Sequence, residues 1–96
     1  MNTENRHTPE YYAKWLKMHF PGLLHLFDFG SNAVNYSLLE RYLSTASHGE
    51  RLIAEFAISI WLGDNSMNFD FVDAAKSLNI ESRQVIADFL LDPFWP

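Results

Sequence analysis

Residues 47–63 read SHGERLIAEFAISIWLG, and this stretch predicts the central helix of the fold. Ser47 and Glu50 have the spacing of a capping box, in which a hydroxyl and a carboxylate bind the free amides at a helix start. Apolar residues then recur at helical spacing, and Gly63 favours the left-handed conformation in which many helices end. The predicted stripe consists of Leu52, Ile53, Phe56, Ala57, Ile60 and Trp61. We expect it to form the centre of the core.

Towards the N-terminus, helix punctuation predicts two further helices. Thr8, Pro9 and Glu10 form a helix start, with a capping hydroxyl, a proline that needs no amide partner and an acid beside the positive end of the dipole. Pro21 ends that helix. Residues 23–29 are apolar but too few to classify, so a helix and an irregular connector both stay open. Asn35 or Ser37 caps the next helix, and no segment predicts a convincing strand.

Residues 71–90 have the pattern of a helix-turn-helix. The expected elements are a first helix over 71–78, a turn over 79–81 and a second helix over 82–90. Ala75 is expected at the helix crossing, and Leu78, Ile80 and Val85 in the shared core. The predicted fold is therefore all-α: a compact single-domain bundle of about five helices with a C-terminal helix-turn-helix-like corner. The domain spans 1–96, with 1–7 as a flexible N-terminus.

The motifs of catalysis and of cofactor binding are missing from the sequence. It has no cysteine, no Gly-x-Ser-x-Gly elbow and no phosphate loop, and its four histidines lack a zinc-binding spacing. We therefore predict a protein that is not an enzyme and has no catalytic residue, cofactor, metal or small-molecule substrate. No apolar run approaches the roughly 20 residues of a membrane span. These observations favour a cytoplasmic protein.

The helix-turn-helix pattern raises the alternative of a DNA-binding transcription regulator. Ser82, Arg83 and Gln84 would then read the major groove from the start of the second helix. Phosphate contacts require clustered bases. From residue 61 onwards, however, the chain carries six acids against two bases, and its net charge is −5. Nucleic acid is therefore not the expected partner.

Two neighbouring aromatic residues near the C-terminus predict a protein-binding site. Phe94 and Trp95 would be its apolar anchors, because aromatic side chains are enriched at interfaces. Folding of both rings back into the core is the alternative. Asp70, Asp73, Asp88 and Asp92 would steer a basic partner towards the site, although such acids also simply keep a protein in solution. The expected partner is another protein, with a homodimer as a second form of association.

Two further features carry a resemblance to known proteins. The capped helix from Ser47 to Gly63 is followed by a segment centred on Leu78-Asn79-Ile80-Glu81-Ser82-Arg83. Over about the last fifty residues, the chain resembles small uncharacterised all-helical proteins of phages, prophages and plasmids. The resemblance implies a helical fold and a mobile-element origin. It also implies inhibition of a host protein of defence or nucleic-acid processing, by binding.

Overall fold

The computed structural model describes residues 5–96, and helices form most of this part of the chain. The α-helices are α1 (Pro9–His19), α2 (Tyr36–Thr45), α3 (His48–Leu62), α4 (Phe71–Ser77) and α5 (Ile80–Leu91). A 3-10 helix (Pro21–Leu26) and two short strands, β1 (Phe27–Asp28) and β2 (Ala33–Val34), lie between α1 and α2. The predicted helical fold class is confirmed, with this small sheet as an addition.

Local capping chemistry sets the predicted helix ends. The Thr8 hydroxyl accepts a hydrogen bond from the Tyr11 amide at 3.1 Å, and Pro9 is the first residue of α1. At α3, the Ser47 hydroxyl accepts from the Glu50 amide, and the Glu50 carboxylate accepts from the Ser47 amide. Gly63 ends α3 in the left-handed conformation, at φ 72°. The predicted helix starts and stops are therefore confirmed. The sequence could predict them because each depends on a few neighbouring residues.

Residues 23–29, which the sequence did not classify, contain the end of the 3-10 helix and β1, the first strand of a small hairpin. In the antiparallel pair, Phe27 lies opposite Val34 and Asp28 opposite Ala33. The Asp28 carboxylate accepts hydrogen bonds from two amides of the connecting turn, and this holds the turn closed. The strand pair escaped prediction because a two-residue strand has no alternation to recognise. Asn35, rather than Ser37, caps α2.

Helix α3 is the central helix, as predicted, and the core surrounds it on more sides than the stripe indicated. Ala54 and Ile58 lie outside the predicted stripe and are fully buried, whereas Trp61 within it is only half-buried. On one side, the Tyr12 hydroxyl of α1 donates a hydrogen bond to the Ala57 carbonyl at 2.7 Å. The helix is buried nearly all round because neighbouring parts of the chain also cover positions beside its predicted stripe.

The helix-turn-helix-like corner is present with a shorter turn than predicted. Asn79 is the N-cap of α5, and its side chain accepts a hydrogen bond from the Ser82 amide at 2.9 Å. The helix therefore begins at Ile80, and the prediction of a start at Ser82 is wrong. The turn is shorter than predicted because the Asn79 side chain caps the helix and accepts a hydrogen bond from an amide of its first turn.

Two core assignments in the corner are also wrong. Ala74, rather than Ala75, is buried against the rest of the fold. Ile80 is 65% exposed, because as the first residue after the cap it projects from the end of α5. Leu78 is buried as predicted, and Ile86 and Phe89 fill the shared core with it, whereas Val85 is only half-buried.

The segment predicted as a flexible N-terminus meets the end of the chain. Residues 1–4 lie outside the described residues. The Arg6 guanidinium lies 2.8 Å from the Asp92 carboxylate, and the Trp95 amide donates a hydrogen bond to His7 Nδ1 at 3.1 Å. Residues 92–96, called the C-terminal tail below, are thus held beside the start of α1.

Candidate functional site

An apolar groove lies between the end of α3, the start of α4, α5 and the C-terminal tail. This C-terminal groove has a volume of about 260 Å³. Phe56, Phe69 and Phe89 are buried and form its floor. Phe71, Leu90 and Trp95 form its rim and are 54%, 53% and 47% exposed. The remaining lining residues are Ser59, Ile60, Gly63, Asp64 and Asn65.

A second depression of about 180 Å³ adjoins the groove between α4 and α5. Phe71 and Leu90 line both depressions, so the two are continuous. This α4–α5 cleft is otherwise lined by Ala74, Ala75, Arg83, Ile86 and Ala87. Its walls are low because three of these residues are alanines. The C-terminal groove and the α4–α5 cleft together are called the apolar face.

Aromatic packing holds the rim of the groove in place. The Phe56 ring lies 5.3 Å from Phe69 and 5.5 Å from Phe89, centroid to centroid. Phe69 in turn contacts Phe71 edge-to-face at 5.0 Å. The Asp70 side chain caps α4 by accepting from the Asp73 amide, which places Phe71 on the first turn of that helix. Because buried aromatic rings pack in fixed geometry, the exposed ring of Phe71 rests on a rigid support.

The two ends of the apolar face carry opposite charges. Asp64 lines the C-terminal groove and Arg83 lines the α4–α5 cleft, with Phe71 and Leu90 between them. The Ser66 amide donates a hydrogen bond to the Asp64 carboxylate at 3.0 Å and holds the pKa of that carboxyl below its usual range. No carboxylate of residues 5–96 lies within ion-pair distance of Arg83. Both charges are therefore available to groups outside the fold.

The structure separates the two aromatic residues that the sequence predicted as partner anchors. Trp95 is half-exposed on the rim of the C-terminal groove. Phe94 is only 2% exposed, and its ring packs against Tyr11 at 4.8 Å, Trp15 at 5.5 Å and Phe89 at 5.5 Å. For Phe94 the structure therefore shows the alternative that the sequence left open, folding back into the core, because α1 and α5 leave an aromatic slot that this ring fills.

The four predicted acids fall into two groups, and neither lines the apolar face as the structure describes it. Asp70 caps α4, and Asp73 pairs with His48 at 2.8 Å, a contact that lowers the pKa of the Asp73 carboxyl. Asp88 accepts a hydrogen bond from the Gln84 side chain, and Asp92 pairs with Arg6. Each acid is thus engaged with a neighbour and still borders solvent. Asp88 and Asp92 line one depression of about 370 Å³ with Phe94, whereas Asp70 and Asp73 lie at the start of α4.

The residues assigned to DNA in the alternative hypothesis do not form a basic surface. Ser82 is half-buried, and the Gln84 amide group is bound to Asp88 at 2.8 Å. Arg83 is exposed, but it lies beside Ala87 and Leu90 in the α4–α5 cleft. Helix α5 also carries Glu81. The second helix therefore presents an apolar strip with a single cation.

One cluster contains the residue types of a catalytic triad but lacks the hydrogen-bond pattern of a triad. His48 Nε2 and the Ser77 hydroxyl both contact the Asp73 carboxylate, at 2.9 Å and 2.8 Å. A nucleophilic serine must instead bind the imidazole, which removes its proton. In this cluster the serine hydroxyl donates to the carboxylate. Residues 5–96 also contain no cluster of three or more potential metal ligands.

A larger depression lies elsewhere, between α2 and α3, with a volume of about 530 Å³. Its lining mixes leucines with Glu40, Ser44 and Arg51, and Arg51 lies 3.8 Å from Glu55. It is more open than the apolar face and lacks exposed aromatic rings apart from Tyr36. Shape and lining therefore favour the apolar face as the candidate site.

Sequence reasoning missed most of the apolar face, including its exposed residues Asp64, Phe71 and Leu90. One usable signal was the pair Leu90-Leu91, because neighbouring positions of a helix point about 100° apart and a surface helix rarely buries both. Both leucines are exposed, and only Leu90 lines the apolar face.

Within residues 5–96, each helix is too short or too polar to cross a lipid bilayer. Comparisons of the chain with protein-family models, with curated proteins and with solved structures give no match.

Proposed function

We propose that this chain is a non-enzymatic protein-binding module that works in the cytoplasm, and that the apolar face is its contact surface. The carrying observation is the continuous set of exposed apolar side chains Phe71, Leu90 and Trp95 on a rigid aromatic floor. Contiguous apolar patches of this kind mark sites of protein interaction, and aromatic side chains are enriched in the centres of such sites.

A protein is favoured over a small molecule because of the shape of the surface. The two depressions hold about 260 and 180 Å³ and are open along one side. Pockets for small ligands bury most of the ligand surface, which depressions open along one side do not. A shallow, elongated surface instead fits protruding side chains of another protein.

The net charge of the chain supports a basic protein of the host as the partner, called the foreign partner. The chain carries a net charge of −5, and Asp70, Asp73, Asp88 and Asp92 border solvent outside the apolar face. Acids on a surface attract a basic partner over a distance and raise the rate of encounter. Together with the resemblance to mobile-element proteins, this favours inhibition of a host protein of defence or nucleic-acid processing.

Capture from an extract of the native host tests the proposal with a matched pair of variants. Leu90→Ser alters the apolar face, and Leu91→Ser changes the next residue of the same helix, which is 83% exposed and outside that face. We expect a host protein retained by the unmodified chain and by Leu91→Ser, and lost with Leu90→Ser. Equal retention by both variants contradicts the apolar face as the contact surface.

The DNA-binding regulator predicts a different result. A protein that contacts phosphates binds generic duplex DNA with an affinity that falls steeply as salt increases. We expect no binding at low salt, since residues 61–96 carry two bases against six acids. Salt-sensitive binding lost with Arg83→Ala would instead support the regulator.

A further inference from the structure

The apolar face has an arrangement of charge that is complementary to itself. Asp64 stands at one end, Arg83 at the other, and the shared apolar residues Phe71 and Leu90 lie between them. When such a surface is rotated by half a turn and placed on itself, unlike charges meet at both ends and apolar residues meet in the middle. A two-fold interface requires this self-complementarity.

We propose that the apolar face binds a second copy of this chain around a two-fold axis near Phe71 and Leu90. Asp64 of each copy then faces Arg83 of the other. The inference rests on the proposed function, since it takes the apolar face as the contact surface and names a second copy as its occupant when no host protein is bound.

The shapes of the two depressions fit the same arrangement. Half a turn places the C-terminal groove of one copy over the α4–α5 cleft of the other. Trp95 rises at the rim of the groove, and Ala74, Ala75 and Ala87 give the cleft low walls. A large ring therefore meets small side chains twice in the dimer. Such packing of an aromatic anchor into a recess is typical of the residues that dominate binding energy.

The dimer has a consequence for the foreign partner. The host protein and a second copy of this chain are both expected on the apolar face. A copy bound there excludes the host protein from that face. Self-association therefore competes with capture of the host protein.

Sedimentation equilibrium of the full chain tests the dimer, with charge reversal at each end. Asp64→Arg and Arg83→Glu each place like charges together twice in a homodimer, and we expect each to weaken dimerisation by about tenfold or more. In an equimolar mixture of the two variants, the introduced arginine of one copy faces the introduced glutamate of the other, and the remaining Arg83 faces the remaining Asp64. We expect this mixture to form heterodimers with an affinity near that of the unmodified chain.

The mixing experiment also controls for misfolding, because a variant that fails to fold is not rescued by another variant. Asp64→Asn provides a second control: it keeps an acceptor for the Ser66 amide and removes the charge, so a weaker dimer with unchanged thermal unfolding is expected. Leu91→Ser should dimerise like the unmodified chain, since Leu91 lies outside the apolar face.

Two results would overturn the dimer. One is a monomer at all concentrations up to those of structural work; the other is a dimer whose affinity changes neither with Asp64→Arg nor with Arg83→Glu. Neither result decides the proposed function, which depends on the capture of a host protein by Leu91→Ser and not by Leu90→Ser. Loss of that difference while the dimer persists would contradict the foreign partner alone.

Discussion

Phe94 and Trp95 occupy neighbouring positions and serve different purposes. The Phe94 ring completes an aromatic cluster with Tyr11, Trp15 and Phe89, and the Trp95 ring touches Phe89 from the groove side at 5.5 Å. The tail has no regular secondary structure after α5, and its backbone directs one ring into the core and the other towards the groove. Composition identified both rings as costly to expose. Only the direction of the backbone assigns each to a side.

Substitution of each ring should therefore have a different effect. We expect Phe94→Ala to lower the free energy of unfolding by about 3–5 kcal/mol, as for other buried aromatic rings. Trp95→Ala should cost about 1 kcal/mol or less, because its ring is half-exposed. Urea unfolding followed by circular dichroism measures both values. Equal losses would show that the tail packs in another way.

Tyr12 is the second residue whose chemistry gives a prediction. Its hydroxyl donates to the Ala57 carbonyl inside the core, and burial raises its pKa far above the ordinary value. Tyr12→Phe should cost about 1 kcal/mol near neutral pH through the lost hydrogen bond.

The raised pKa of Tyr12 also predicts a loss of stability at alkaline pH. The unfolded chain ionises this tyrosine above about pH 10, whereas the folded chain keeps it neutral. The stabilisation is fully present below about pH 10 and decreases as the pH rises further. Urea unfolding from about pH 8 to 11 should show a smaller decrease for Tyr12→Phe than for the unmodified chain. Parallel pH curves would mean that the phenol is accessible to water.

At the scale of elements, the boundaries that the sequence predicts well are those set by local chemistry. The caps of α1 and α3 depend on side chains within three residues of the helix start, and both are where the motifs place them. The buried side of α4 depends on what packs against it, so Ala75 was chosen where Ala74 is buried. Tertiary packing also made α3 buried around Ile58, beyond its own stripe.

The capping box of α3 should contribute measurably to the free energy of unfolding, because this helix is at the centre of the fold. Ser47→Ala should lower the free energy of unfolding by about 1 kcal/mol. The Ser47 amide also holds the pKa of Glu50 below its ordinary value, so that part of the stabilisation is present above about pH 4.5 and lost as the pH falls. Glu50→Gln should therefore approach the unmodified chain in stability on acidification from about pH 7 to 3. A constant difference would indicate that the carboxylate does not act as the cap.

At the scale of the whole molecule, the site depends on contacts between distant parts of the chain. The groove takes its floor from α3, α5 and the loop before α4, one rim from α4 and another from the tail. The sequence indicated the residue types of the site, an aromatic C-terminus and an acidic second half. It could not indicate that Asp64 and Arg83 lie at opposite ends of one surface, because no local pattern relates a loop residue to a position on α5. Such an arrangement follows only from how the elements pack.

The contact between the two ends of the chain leads to a prediction about the groove itself. Arg6 bonds to both the side chain and the backbone carbonyl of Asp92, each at 2.8 Å, and its guanidinium lies over the Tyr11 and Phe94 rings at 5.6 and 5.8 Å. These contacts hold the start of the tail, and His7 accepts from the Trp95 amide three residues further on. Arg6 thus positions Trp95 on the rim of the groove.

We expect Arg6→Ala to release the tail beyond Phe94 while the helices remain folded, because the Phe94 ring keeps its other aromatic contacts. The Trp95 amide should then exchange with solvent at least several-fold faster, and self-association through the apolar face should weaken, since a mobile anchor loses more entropy on binding. Lys14→Ala is the matched control, as it removes one exposed cation of α1 that forms no ion pair within residues 5–96. Hydrogen exchange followed by NMR separates the two variants. Equal protection of the Trp95 amide in both would mean that the aromatic core alone fixes the tail, and the groove would then be complete without the N-terminal contact.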